Sequence, residues 1–226
     1  MKRFKSYTRE ELKAVIKEFV HICEHNKDHL WVLDRRTAKR WLKSTELWTD
    51  FVLDYFAATA AEGMVVDARR ANSARGWSRF LKQQNTTTAL TKTPVRETSG
   101  EFMLDLVHSG YPGYQDGYMT AKYWNRALLK GKLKLRFAME SEFGKEAEKK
   151  RTRFEVLHDA AKLAAVRAPL KLMLFGTTEG GEETEAVKKD LRELRAGNDD
   201  DATWGWIDLP WNVNAKGDWL PSGGLL

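Results

Sequence analysis

The order of local patterns along the chain predicts an α/β protein: a mixed β-sheet flanked by helices, with a helical N-terminal part. Three observations carry this reading. Apolar residues recur at helical spacing through roughly the first 85 residues. After Gly100 short β-like runs alternate with amphipathic helices. A chain of 226 residues with 42% hydrophobic content is long enough to bury a core between such layers. The change of pattern divides the chain into residues 1–98 and 99–226.

In the first part, "TREELKAVIKEFVHICEHN" opens on Thr8 with Glu11 three residues later, the pattern of a reciprocal N-terminal cap. Leu12, Val15, Ile16, Phe19, Val20 and Cys23 then line one helical face. A second helix is predicted from about Arg36 to Ala61, with Trp41, Leu42, Leu47, Trp48, Phe51, Val52, Tyr55 and Phe56 on a wide apolar stripe. A third helical piece is expected from about Val66 to Gln84, ending at the polar "QQNTTT".

In the second part, "EFMLDLVHS" reads as a short strand, "DGYMTAKYWNRALLKG" as a connecting helix and "KLKLRFAMESEF" as a second strand. The long helix "KEAEKKRTRFEVLHDAAKLAAVRA" stops at Pro169 and is followed by a strand "LKLMLF", a helix "EETEAVKKDLRELRAG" and a strand "ATWGWIDL". The ending "NAKGDWLPSGGLL" reads as a loose tail.

No apolar run approaches the length of a membrane span, and "MKRFKSYTREELKAVIKEF" has neither the apolar segment nor the cleavage site of a signal peptide. The expectation is a cytoplasmic protein with no membrane partner. The lone Cys23 excludes an intrachain disulfide and a thiolate zinc site. His21, His25 and His29 recur every four residues, which reads first as a solvated helix face, since a structural metal site needs convergent ligands completed from elsewhere.

The net charge of +6 is unevenly spread. Residues 1–100 carry 19 Lys and Arg against 12 Asp and Glu, whereas residues 101–226 carry 19 against 20. From Arg69 to Arg96 there are seven basic residues and no acidic one. Arg69, Arg70, Arg75, Arg79 and Lys82 are therefore candidates for contacting phosphate, with an ordinary solvated face as the competing reading.

The stretch "LRFAMESEFG" raises the sharpest question. Alternation places Glu140 and Glu142 on one strand face, with Leu133, Leu135, Phe137 and Met139 on the other. Two such carboxylates repel unless a metal or a lysine stands between them. Asp105, read as lying inside the preceding strand, is a third acid at a comparable place, and three hard oxygen donors at neighbouring strand ends suit magnesium. Alone, the acid pair would read as a solvated edge strand or as salt bridges to Lys145 or Arg136. A glycosidase pair is a poorer reading, because acids two residues apart on one strand do not flank a sugar ring.

With these motifs in order, the chain resembles the PD-(D/E)XK nuclease superfamily, the fold of many restriction endonucleases, over residues 100–210. "FMLDL" resembles its first strand with Asp105 as the acid, and "FAMESEFG" resembles the second with Glu140, Ser141 and Glu142 as the triplet. "RFEVLHDAAKLAAVRAPLKLMLF" is similar to the helix and strand that follow. The resemblance implies a restriction-endonuclease-like core and Mg²⁺- or Mn²⁺-dependent cleavage of double-stranded DNA. It implies Asp105, Glu140 and Glu142 as catalytic and metal-binding residues, and it is compatible with a homodimer. Glu142 stands where most members have lysine, which points it toward a second metal or toward accepting a proton. Asp116 is a rival to Asp105 and Glu101 an accessory acid, while Asp159 and Lys162 read as a local ion pair at i and i+3. The competing function is a nucleic-acid-binding protein that keeps the fold without catalysis.

Overall fold

The structure is a computed structural model that describes residues 1–25, 45–62, 64–68, 95–97, 104–110, 134–143, 149–178, 180–198, 200–211 and 220–226. Its elements are α1 (Arg9–His25), α2 (Thr45–Ala58), β1 (Val65–Ala68), β2 (Val95–Glu97), β3 (Leu106–Gly110), β4 (Lys134–Glu142), α3 (Lys149–Ala165), β5 (Leu170–Phe175), α4 (Glu182–Gly197), β6 (Thr203–Asp208) and β7 (Ser222–Leu225). The strands form one mixed sheet in the order β2-β1-β3-β4-β5-β6-β7. β4, β5 and β6 run parallel, while β3 is antiparallel to both β1 and β4, and β7 is antiparallel to β6. No helix among the described residues is long and apolar enough to cross a membrane.

Strand alternation sorts the core onto two faces. On β5, Leu170, Leu172 and Leu174 join Leu12, Ile16, Phe19, Phe51 and Phe56 of α1 and α2. Met173 and Phe175 point the other way and meet Val156, Ala160 and Leu163 of α3 and Val187 and Leu191 of α4. The result is the helix–sheet–helix layering expected of parallel strands joined by crossover helices. The cap of α1 forms as predicted: Glu11 N–H donates to Thr8 Oγ1 at 3.3 Å and Thr8 N–H donates to Glu11 Oε2 at 3.0 Å. Although burial opposes it, the backbone N–H groups of Thr8, Lys5, Ser6 and Tyr7 hold the Glu11 carboxyl below its ordinary range.

Several expectations are corrected. The helix predicted from Val66 begins instead with strand β1, in which β-branched Val66 is paired on both sides, with Val95 of β2 and His108 of β3, and Val65 with Ser109 of β3. The described residues within 1–98 thus contribute two strands to the sheet as well as two helices. The C-terminal tail contains β7. Its glycines weaken the strand signal, yet they are what the packing needs: a Cβ on Gly223 would lie 2.8 Å from Ile16 Cγ2. Finally, the pairing shifts from His108 opposite Phe137 to Ser109 opposite Leu135, leaving Arg136 as an extra residue. That bulge turns Leu135 to the α3–α4 face, opposite to the side its alternation predicts.

Candidate functional site

β4 lies inside the sheet between β3 and β5, so Glu140 and Glu142 are not on an edge strand. Glu140 is only 1% exposed, whereas Glu142, the last residue of β4, is half-buried. Phe137, Met139 and Phe143 pack with α1 and α2, and Ala138 packs with α3, which puts Glu140 on the α3 side by alternation.

Asp105 sits in the bend just before β3 rather than within a strand. Leu106 is opposite Met139, so Asp105 arrives opposite Glu140 at the same end of the antiparallel pair. Its Oδ2 accepts the Ser141 backbone N–H at 2.9 Å and the Ser141 hydroxyl at 2.7 Å. The middle residue of the Glu-Ser-Glu triplet therefore orients the preceding acid. Asp105 is buried, with 7% of its surface exposed.

The positive partner comes from α3. Val156, Ala160 and Leu163 hold this helix on the sheet, and Lys162 emerges beside the stripe with its Nζ 3.8 Å from Glu140 Oε2 and 2.5 Å from Asp159 Oδ1. Partial burial opposes its charge, but the Asp159 hydrogen bond and the charges of Glu140, Asp159 and Asp105 hold the ammonium above the ordinary lysine range. The expected Asp159–Lys162 pair is present, and Lys162 also spans from helix to strand. In the sequence Lys162 flanks an apolar helix stripe, but that this border faces β4 follows only from how α3 lies on the sheet.

A further buried carboxylate, Asp208, closes β6 two strands away, in register with Phe175 and through it with Glu142. Its oxygens accept the Thr177 N–H at 3.0 Å, the Thr177 hydroxyl at 2.7 Å and the Thr184 hydroxyl at 2.5 Å. It fastens the loop between β5 and α4 to the sheet. Burial nevertheless pushes its carboxyl up to about 6, against the pull of these hydrogen bonds.

Asp116, Glu101, His29 and the basic residues Arg69, Arg70, Arg75, Arg79 and Lys82 lie outside the described residues. Among the described residues, the group that brings three ligand atoms within 4.8 Å of one another is His21, Glu24 and His25 on α1, not Asp105, Glu140 and Glu142. The strand-end constellation thus sets the Lys162 ammonium beside Glu140, with the charge of Asp105 also acting on it, while Glu142 is less buried than either acid. Carboxylate oxygens are the donor type that Mg²⁺ and Mn²⁺ take, usually alongside retained water. No known protein family, curated protein or solved structure matches the chain.

Proposed function

We propose that the chain is a metal-dependent endonuclease acting on double-stranded DNA, with a restriction-endonuclease-like core and its site at Asp105, Glu140, Glu142 and Lys162. The observation that carries the reading is the 3.8 Å approach of Lys162 to Glu140. It offers, from α3, a lysine where the Glu140-Ser141-Glu142 triplet has none, which supports a catalytic reading over binding alone. The order β3, β4, α3, β5, with the crossover helix returning to a parallel strand, supports the same reading.

In this proposal Asp105 and Glu140 would hold a Mg²⁺ or Mn²⁺ ion, and its chemistry there would be to polarise the phosphate and acidify a water. Ser141 keeps the Asp105 carboxylate aimed while the charge on the phosphate changes. Lys162, held protonated, is unsuited to accept a proton and instead stabilises negative charge growing on the phosphoryl oxygens. Glu142, the less buried carboxylate, takes the proton from the attacking water. The water oxygen adds to phosphorus, the bond to the leaving oxygen breaks, and that oxygen picks up a proton from solvent.

The basic run from Arg69 to Arg96 supports DNA as the partner through counterion release, with Arg69, Arg70, Arg75, Arg79 and Lys82 as phosphate contacts. Action on DNA also favours a cytoplasmic location. The test is cleavage of plasmid DNA by the purified chain with Mg²⁺ or Mn²⁺ and with chelator. Metal-dependent nicking or linearisation is expected. DNA binding without cleavage in either metal would replace this reading with the non-catalytic one.

A further inference from the structure

The last turns of α1 carry a second cluster that the strand-end site does not use. Phe19 and Cys23 face the core, so His21, Glu24 and His25 come out together on the solvent side, related as i, i+3 and i+4. All three are exposed, and one ligand atom from each lies within 4.8 Å of the others. The two imidazole rings are 3.8 Å apart between centroids.

The tautomer of His25 follows from its partner. Its Nδ1 is 3.0 Å from the His21 carbonyl oxygen, which can only accept, so Nδ1 carries the hydrogen and Nε2 keeps its lone pair. A backbone carbonyl on the far ring nitrogen is the arrangement that orients metal-ligating histidines and raises their basicity. The negative end of the α1 dipole adds a field favourable to a cation at this place.

We infer that His21, Glu24 and His25 form a surface site for a borderline transition-metal ion of the Zn²⁺ class. Two imidazole nitrogens and one carboxylate oxygen make three ligands of a tetrahedral set, with water in the fourth position. The donor set separates this site from the carboxylate site on the sheet, because imidazole prefers Zn²⁺ over Mg²⁺. Buried Cys23, its thiol pushed well up by burial, takes no part. A bound ion would tie successive turns at the end of α1 together and so stabilise that part of the helix.

The experiment titrates the full chain with zinc chloride by calorimetry and follows thermal melting with and without zinc. His21→Ala and His25→Ala are compared with wild type, and Asp105→Asn is a control at the other carboxylate site. Saturable zinc uptake with a raised melting temperature is expected for wild type and Asp105→Asn. Each histidine variant should bind at least about tenfold more weakly and lose the melting shift. These histidines are exposed, so the variants fold, and their Mg²⁺-dependent DNA cleavage stays unchanged. No zinc uptake by wild type, uptake unaffected by both histidine variants, or uptake abolished by Asp105→Asn would each overturn the assignment.

Discussion

Lys162 Nζ stands 3.8 Å from Glu140 Oε2, a helix lysine facing a strand carboxylate that is 1% exposed. A buried charge left without its counterion is costly, so the two residues should behave as a coupled unit. Lys162→Met is expected to destabilise the fold by about 2 kcal/mol. Adding Glu140→Gln should restore much of that loss, because the buried carboxylate that lost the Lys162 ammonium is then neutral. Denaturant unfolding of the two single variants and the double variant measures the coupling. Strictly additive effects would show that the approach carries no energy.

Activity should separate from stability at the same pair. Lys162→Met is expected to lower cleavage by about 10²–10³-fold, the usual cost of removing one stabiliser of transition-state charge. The double variant should remain inactive despite its recovered stability. Lys162→Arg keeps the charge and should retain part of the rate. A structural role alone would instead return activity along with stability in the double variant.

Glu140→Gln should abolish metal-dependent cleavage while changing stability by no more than about 1 kcal/mol. The amide preserves the volume under α3, and Lys162 keeps Asp159 as its partner. Glu140→Ala is the harsher change, since it empties a buried position against α3 rather than a solvent-facing one. Thermal melting beside the plasmid assay distinguishes the two. Wild-type cleavage by a folded Glu140→Gln protein would remove Glu140 from the site.

These residues also show what the sequence could reveal. β5 and α4 coincide with their predicted segments because each is punctuated locally, by Pro169 before the strand and by two positive-φ glycines, Gly180 and Gly181, before the helix. Alternation correctly put Glu140 opposite Phe137 and Met139. It failed at Leu135, because a bulge is a property of two strands in register rather than of one. β1 and β7 were missed for the same reason: four-residue strands carry too little periodicity, and their stability comes from neighbours remote in sequence. Lys162 belongs to this class. Its spacing to Asp159 was visible, but its distance to Glu140 exists only once α3 lies across the sheet.

Lys171 offers a test of the scaffold that is independent of the site. It is 1% exposed on β5, paired with Asp200, which also accepts the Trp204 indole N–H at 2.8 Å and the Ala202 N–H at 3.0 Å. The Lys171 ammonium lies 5.5 Å from the centre of the Trp204 ring. Lys171→Met leaves Asp200 with two donors but no cation, and should cost about 2–4 kcal/mol in urea unfolding. Asp200→Asn alone strands the lysine and should cost at least as much. Stability unchanged in both would mean that the pair contributes nothing beyond its packing.

The pH dependence of stability should reflect two buried groups that oppose each other. His108 donates from Nε2 to the Phe56 carbonyl at 3.0 Å, and its Nδ1 accepts from the Tyr7 hydroxyl at 3.2 Å. Burial beside Phe4 and Phe137 pushes its pKa down to about 3 from 6.5. The unfolded chain therefore binds a proton first, and stability falls as pH drops from about 6.5 toward about 3, by about 2 kcal/mol between pH 7 and pH 5. Asp208 has the reverse sign. Its pKa is raised from 3.8 to about 6, so its contribution is full at low pH and is lost as pH rises through about 6. Acidification from pH 7 to pH 5 thus returns about 1.5 kcal/mol. These two nearly cancel in wild type. In His108→Gln, whose amide can replace both hydrogen bonds, stability should rise more, or fall less, on acidification than in wild type. In Asp208→Asn the opposite tilt is expected, with marked loss toward pH 5. Denaturation curves at a series of pH values read the slopes directly, and parallel slopes for wild type and both variants would refute the opposition.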